Sequence, residues 1–345
     1  MSRNPNKKKL SNNQRFIIFA SVGIAFLIVV FILFLLFGAE QAVNIETVFK
    51  GLFNYDSNNF NETIVRNIRL PRLIADLMVG VCLSVAGAIM QGTTKNPMAD
   101  TGIMGISSGS TLGIVIVMTF IPEAGRYERM AMSALGAALV TLLIYAIAYA
   151  GKRRVSVDRM VLSGMAISTL LSSLTTAIVL KYGLMNQMIK YTSGSSQNVI
   201  WKDILVALPF FAGGFILSLI ISPSLTVMNL GEDVSKGLGA NTKITKILST
   251  IVVLVLSSVS VIIIGPVAYI GLMIPYIARY MVGTDYRYIL PICAIYGPLF
   301  VCVVDLIARI INPGLEFPVG LLITVIGVPF FIYVSRRTKG DAFRE

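Results

Sequence analysis

The chain of 345 residues is 55% apolar and only 13% charged, with a net charge of +12 and a mean hydropathy of +0.79. Soluble domains carry about 25% charged residues, so a soluble globular protein is excluded. The complete lack of histidine removes HExxH zinc sites, histidine general bases and histidine haem ligands, and the positive charge sits in short segments between apolar runs, which is a topology signal and not a nucleic-acid footprint.

Residues 1–15 are polar and basic, and they are expected to form a cytoplasmic tail, not a cleaved leader. From Phe16 onward, apolar runs of roughly 18 or more residues recur, each about long enough to cross a bilayer core as a helix. They predict a transmembrane domain over 16–334 with ten spans: 16–37, 72–92, 103–121, 129–150, 160–180, 203–221, 247–264, 267–281, 288–308 and 318–334. Residues 335–345 form a second polar tail. No β-barrel alternation is present, so backbone groups in lipid must be satisfied within helices. If the N-terminus is placed in the cytoplasm, 19 of the 29 Lys and Arg residues fall on the inside, and an even span count returns the C-terminus there. The fold class expected is therefore an all-α, multi-pass membrane protein with both termini in the cytoplasm. Its three cysteines, Cys82, Cys293 and Cys302, lie in apolar runs and read as small core residues.

The second span is framed by "RLPRL" on the outer side and by Gln91, Asn96 and Pro97 on the inner side. Gly80, Ser84, Ala88 and Gly92 repeat every four residues along it, a small-residue face that admits close helix packing. Arg69, Arg72 and, at the far end of the ninth span, Arg309 stand at outer ends, where the charge rule does not ask for them. An arginine fork suits a carboxylate, so these three are candidates for docking an acidic partner. Arg309 can equally pair with Asp305, four residues earlier on the same helix face. Asp76 lies one turn inside the outer end.

The third span opens on "KNPMADTGIMGISSGSTLG" and the eighth on "GPVAYIGLMIP". Interrupted apolar segments, one in each half, point to a substrate path. The candidates there are Gln91, Asn96, Pro97, Ser107, Ser108 and Pro275. Gly105, Gly109 and Gly113 read as a packing face. Between the sixth and seventh spans lies "SPSLTVMNLGEDVSKGLGANTKITK" (222–246). Asn229 or Gly231 can start a short helix with Glu232 and Asp233 in its first turn. Gly237 and Gly239 interrupt it, and Asn241 or Thr242 can cap a second one. A loop of this size with its own structure is usually functional. The chain has no G-x-x-x-x-G-K-[ST] cradle, so ATP-driven work would need a separate subunit docked on this loop.

Four stretches in this order, "RLPRL…AGAIMQGTTKNPMADTGIMGISSGS", "LGEDVSKGLGA", "GPVAYIGLMIPYIARYMVGTDYRYILP" and "VDLIARIINPGLEFPVGLLITVIGVPFF", resemble the signatures of FecCD-type permeases. The resemblance spans about residues 66–334. It implies a ten-helix permease of the iron–siderophore, haem and cobalamin importers, in the cytoplasmic (inner) membrane of a bacterium. It also implies a pore shared with a second permease chain, either a copy or a paralogue, and two ATP-binding-cassette ATPases below that bind Mg–ATP. An extracellular or periplasmic binding protein would deliver the ligand above; Arg69 and Arg72 are similar to family arginines that receive its acidic residues, and Arg309 joins them as a docking candidate by its position at an outer span end. Leu230, Gly231, Glu232, Asp233, Gly237, Leu238 and Gly239 correspond to the coupling element that meets the ATPase. No cofactor or metal is expected in this chain. The family's Pro-His and Asp-His-Arg patterns are here Pro275-Tyr276 and Asp285-Tyr286-Arg287, so no proton- or metal-linked role of those histidines carries over.

A ferric siderophore is the ligand expected, ahead of haem and cobalamin. An ion-coupled carrier would need charge near mid-membrane. A membrane enzyme would need a nucleophile motif, and no G-x-S-x-G occurs. A scaffold would not need broken spans.

Overall fold

A computed structural model describes residues 11–38, 43–101, 105–149, 157–311 and 317–342. All regular structure among these residues is helical. The elements are α1 (Asn12–Leu36), α2 (Ile45–Phe53), α3 (Phe60–Ile64) with a π-helical turn (Val65–Arg69), α4 (Leu70–Thr94), α5 (Ile106–Phe120), α6 (Arg126–Tyr149) and α7 (Val157–Tyr182). There follow α8 (Met185–Thr192), α9 (Trp201–Asn229), α10 (Glu232–Gly237), α11 (Thr242–Ile264), α12 (Ile270–Val282), α13 (Tyr286–Ile311) and α14 (Val319–Ala342). Among the described residues, eight helical stretches are long and apolar enough to cross a membrane; the third and eighth expected spans are the shorter apolar helices α5 and α12.

Local chemistry sets the ends. Ser11 and Gln14 close a capping box on α1, and Asn44, Asn59 and Asn241 cap α2, α3 and α11 with their side-chain oxygens. Pro71 follows directly on the π-helical turn, inside the continuous helical stretch Phe60–Thr94. Gly265 and Gly283 end α11 and α12 at positive φ.

α4 is the axis of the bundle. Almost all of its residues are buried, and it packs on α13, α11, α12 and α9. The small-residue face explains how. A Cβ on Gly80 would lie 2.4 Å from the Pro298 nitrogen, and one on Gly87 would lie 2.1 Å from the Gly271 oxygen. Ser84 Oγ lies 2.7 Å from the Gly80 carbonyl and 2.8 Å from that of Cys293, so its proton stays inside the α4–α13 contact. α5 packs on α6 in the same manner: Gly109 faces the Gly136 oxygen, and Gly113 that of Met132.

Several boundaries differ from the sequence expectation. α9 runs eight residues past 221, through Pro223. The expected cytoplasmic loop 222–246 thus contracts to the segment between α9 and α11. Only one short helix, α10, lies there, because Asn241 caps α11 itself and not a second short helix. α14 continues beyond 334. α2, α3 and α8 were not expected.

Candidate functional site

Asn12 of α1 lies 3.9 Å from a Cβ built on Gly283, beside the α9–α10–α13 junction, so Leu36 ends α1 at the opposite rim. At that rim α1 runs out of intrahelical donors for its last carbonyls. Arginines from distant segments supply them. Arg69 Nη1 donates to Leu35 O at 2.7 Å and to Leu36 O at 2.9 Å. It passes over Gly38, where a Cβ would lie 2.6 Å from Nη2. Arg309 approaches the Phe34 and Phe37 oxygens at 3.5 Å and stacks 3.8 Å above the Phe34 ring.

Asp305, with no exposed surface, is the hub. It accepts from Arg72 Nε at 3.0 Å and Nη2 at 2.5 Å, and from Arg309 Nε at 3.1 Å and Nη2 at 2.8 Å. Asp76 is buried in the same cluster. Arg69, Arg72 and Arg309 are thus brought to one rim, as the sequence suggested. Their guanidinium groups differ from exposed docking forks, because each is turned inward and engaged inside the chain. The physical reason is that Asp305 and the α1 carbonyls are buried acceptors that would otherwise lack donors.

At the α10 end, a second network ties four helices. Gln91 Nε2 donates to the Gly271 oxygen at 3.1 Å, and Arg279 Nη2 donates to Gln91 Oε1. Tyr286 is buried with its hydroxyl against Gly92. Thr226 Oγ1 donates to Asp285 Oδ1 at 3.0 Å and accepts from the Tyr286 N–H at 2.9 Å, which clamps the end of α9 to the start of α13. Ser235 Oγ donates to the Val227 oxygen at 2.8 Å, so α10 is pinned to α9 as well. Partial burial pushes the Asp285 carboxyl up, but the bonds from Arg287 and Thr226 outweigh it and hold it below the usual carboxylate range.

α10 itself presents Leu230, Val234 and Leu238 as an exposed apolar row. Gly231 and Gly239 take positive φ at its two ends, while Gly237 lies in the helix with open space around it. The side chains of Glu232 and Asp233 lie outside the described residues.

The six residues expected along a path do not converge. Gln91 and Pro275 are buried in packing contacts, and Asn96 caps its own turn by accepting from the Met98 N–H at 2.9 Å. Pro97, Ser107 and Ser108 are half-buried near the α4–α5 turn. Another set stands free on a membrane-length helix: Thr169, Ser172, Ser173 and Thr176 of α7 are exposed, and with Ser168, Ala177 and Leu180 they line an open groove. Three of them bond back to their own helix: Thr169 to the Met165 oxygen, Ser173 to that of Thr169 and Thr176 to that of Ser172, each at 2.9 Å. These hydroxyls cost the helix little and offer a wettable, uncharged surface. Sequence reasoning missed them, although their spacing of three and four along an apolar run was the available signal.

The model of the FecCD transport family matches residues 26–337. Iron(3+)-hydroxamate import system permease protein FhuB of Bacillus subtilis is 35% identical over 86% of this chain and 77% of its own. Fe(3+)-citrate import system permease protein YfmD of the same organism is also 35% identical, over 88% and 89%. The protein named "Probable heme-iron transport system permease protein IsdF" of Staphylococcus aureus is 32% identical over 84% of this chain and 88% of its own. A solved structure described as an inward-facing metal-chelate type ABC transporter superposes with a TM-score of 0.81 at 22% identity, covering 92% of this chain and 98% of the other, which shows the shared fold.

Proposed function

The chain belongs to the FecCD transport family, and from that premise we propose that it forms, with a second permease chain, the path of a ferric siderophore through an ATP-driven importer in the bacterial cytoplasmic membrane. The observation that carries this reading is the hydroxyl face of α7. Thr169, Ser172, Ser173 and Thr176 leave an exposed hydroxyl face on a membrane-length helix, and three of the four are bonded to their own helix. They are accounted for when a second copy or a close relative faces them across a water-filled path. A neutral hydroxyl wall wets the path and lets a bulky chelate pass without trapping it by charge.

The orientation follows from the basic residues. Lys236, Lys243, Lys246, Arg279 and Arg287 gather toward the α10 end, which supports a cytoplasmic setting for that end and for both termini. Mg–ATP is bound by two separate ATPase subunits, and the row Leu230, Val234 and Leu238 enters a groove on each. The clamp formed by Ser235, Thr226 and Asp285 passes the movement of α10 into α9 and α13. A binding protein docks over the opposite rim, whose shape Arg69, Arg72 and Arg309 hold from beneath.

The test is uptake in a strain lacking this chain, with and without its restoration, for ferric hydroxamate, ferric citrate, haem and cobalamin. Restored uptake of a ferric chelate is expected. Restoration of haem or cobalamin alone moves the cargo within the same importer class, and restoration of none of the four overturns the proposal.

A further inference from the structure

We propose that α2 is an interfacial helix that seats Ile45, Phe49 and Phe53 in the lipid at the membrane boundary, at the rim opposite α10. These three residues recur every four positions, so they form one face. They are 72%, 63% and 75% exposed, and the two phenylalanine rings lie 4.9 Å apart. The helix has three distinct sides. Val48 and Leu52 pack inward, while Gly51 lies against Val65. Glu46 and Lys50 form an ion pair at 2.7 Å on the flank beside the aromatic face. The third side is the apolar one. A helix divided in this way, with one face on protein, one apolar and one charged, matches the boundary between hydrocarbon and headgroups.

Depth identifies the occupant. Val48 and Leu52 join the same cluster as Val30, Phe34 and Leu35 of α1. These belong to the last two turns of a membrane-length helix. At about 1.5 Å per residue, α2 is therefore level with the outermost ~10 Å of that span and does not stand above it. The neighbouring turns of α1 are themselves apolar and exposed at Ile28, Val29, Ile32 and Phe37. α3 and the π-helical turn, both in contact with α2, add exposed Phe60 and Ile68. The aromatic face is thus continuous in character with the lipid-facing surface of the bundle. A face reserved for a water-soluble partner would leave this apolar surface in water between encounters.

The consequence is an anchor. Gly51 meets Val65 on the segment that leads directly to Arg69 and Arg72, so lipid contacts on one side of α2 set the position of the buried arginine rim on the other.

The three native cysteines are all buried, so one introduced cysteine can carry a nitroxide label. We would place it at Phe49→Cys, at Phe53→Cys and, as the control, at Lys50→Cys. The assembled transporter is held in nanodiscs of mixed neutral and anionic lipid, and collision with oxygen is compared with collision with a water-soluble nickel chelate. The expected result is that labels at positions 49 and 53 favour oxygen severalfold over the nickel chelate, while the label at position 50 shows the reverse. A label at 49 and 53 that favours the nickel chelate overturns the proposal. So does one shielded from both reagents, which places a second copy of the chain there, or one that becomes shielded only when the binding protein is added. If Phe49→Cys fails to assemble, Phe53→Cys and Phe60→Cys give the same reading. The outcome is independent of what the permease carries.

Discussion

Replacing Asp305 with asparagine removes the charge that holds two helices and a helix end together. Asp305 has no exposed surface and receives four donor groups, two from Arg72 on α4 and two from Arg309 on its own helix. Arg72 and Arg309 side chains are only 7% and 9% exposed, so neither can move into solvent without leaving its place. Breaking a buried pair from one side costs about 3–5 kcal/mol, because the partner charge is left uncompensated. Arg309 keeps part of its support from the Phe34 ring and the carbonyls of Phe34 and Phe37, which sets the expected loss toward the lower end, about 3 kcal/mol. A thiol-reactive dye in a thermal ramp reads this directly, since Cys302 packs in the cluster with Phe34, Leu35 and Leu73. Asp305→Asn should expose thiols at a clearly lower temperature than wild type. The combined change Arg72→Met, Asp76→Leu, Asp305→Leu and Arg309→Met should recover most of the loss, because it removes every charged group of the cluster together. Glu46→Gln, which breaks an exposed pair on α2, should leave the transition unchanged. A wild-type transition in Asp305→Asn, or a combined variant less stable than the single one, would refute the reasoning.

Three further outcomes follow from the same geometry. Ser172→Leu with Thr176→Leu should reduce uptake at least tenfold with normal expression and thermal stability, because both side chains are exposed and the one hydrogen bond of Thr176 is to its own helix; uptake measured beside the thiol-dye transition checks this. Thr226→Val and Asp285→Asn should each lower ligand imported per ATP hydrolysed while ATP is still turned over, as measured by parallel uptake and phosphate release. Since Asp285 is held below the usual carboxylate range, its contribution is present above its unfolded pKa of about 3.9 and is lost only as pH falls through the lower folded value. Coupling should therefore be flat through this group from about pH 5 to pH 8. Gly87→Ala should destabilise by about 1–3 kcal/mol or more, because its Cβ meets the Gly271 backbone. Gly239→Ala should cost about 1–2 kcal/mol from its φ of +78° alone. Thermal ramps of the two variants decide the order.

Apolar run length and the four-residue glycine spacing made most of the bundle legible, because both are read along one helix. Gly80 and Ser84 on α4, and Gly109 on α5, meet their neighbours as that spacing implied. The expected sixth span ends at 221, but α9 continues to Asn229 through Pro223, since a proline inside a helix is tolerated when packing supports it. The arginine rim was legible as a location but not as a geometry. Nothing local in the sequence says that Arg69 reaches carbonyls some 34 positions away, or that Asp305 takes Arg72 as well as Arg309. The path residues were sought at chain breaks, where Gln91 turned out to be consumed by Arg279 and Gly271. The exposed hydroxyls of α7 form no break and so gave no such signal.

The most direct test is transport by purified components. The permease would be reconstituted in liposomes with its ATPase and binding protein, and loaded with Mg–ATP on the ATPase side. Radiolabelled ferric siderophore should accumulate only when ATP, ATPase and binding protein are all present, and imposed proton or sodium gradients should not replace them. Accumulation driven by an ion gradient without the ATPase would contradict an ATP-driven permease.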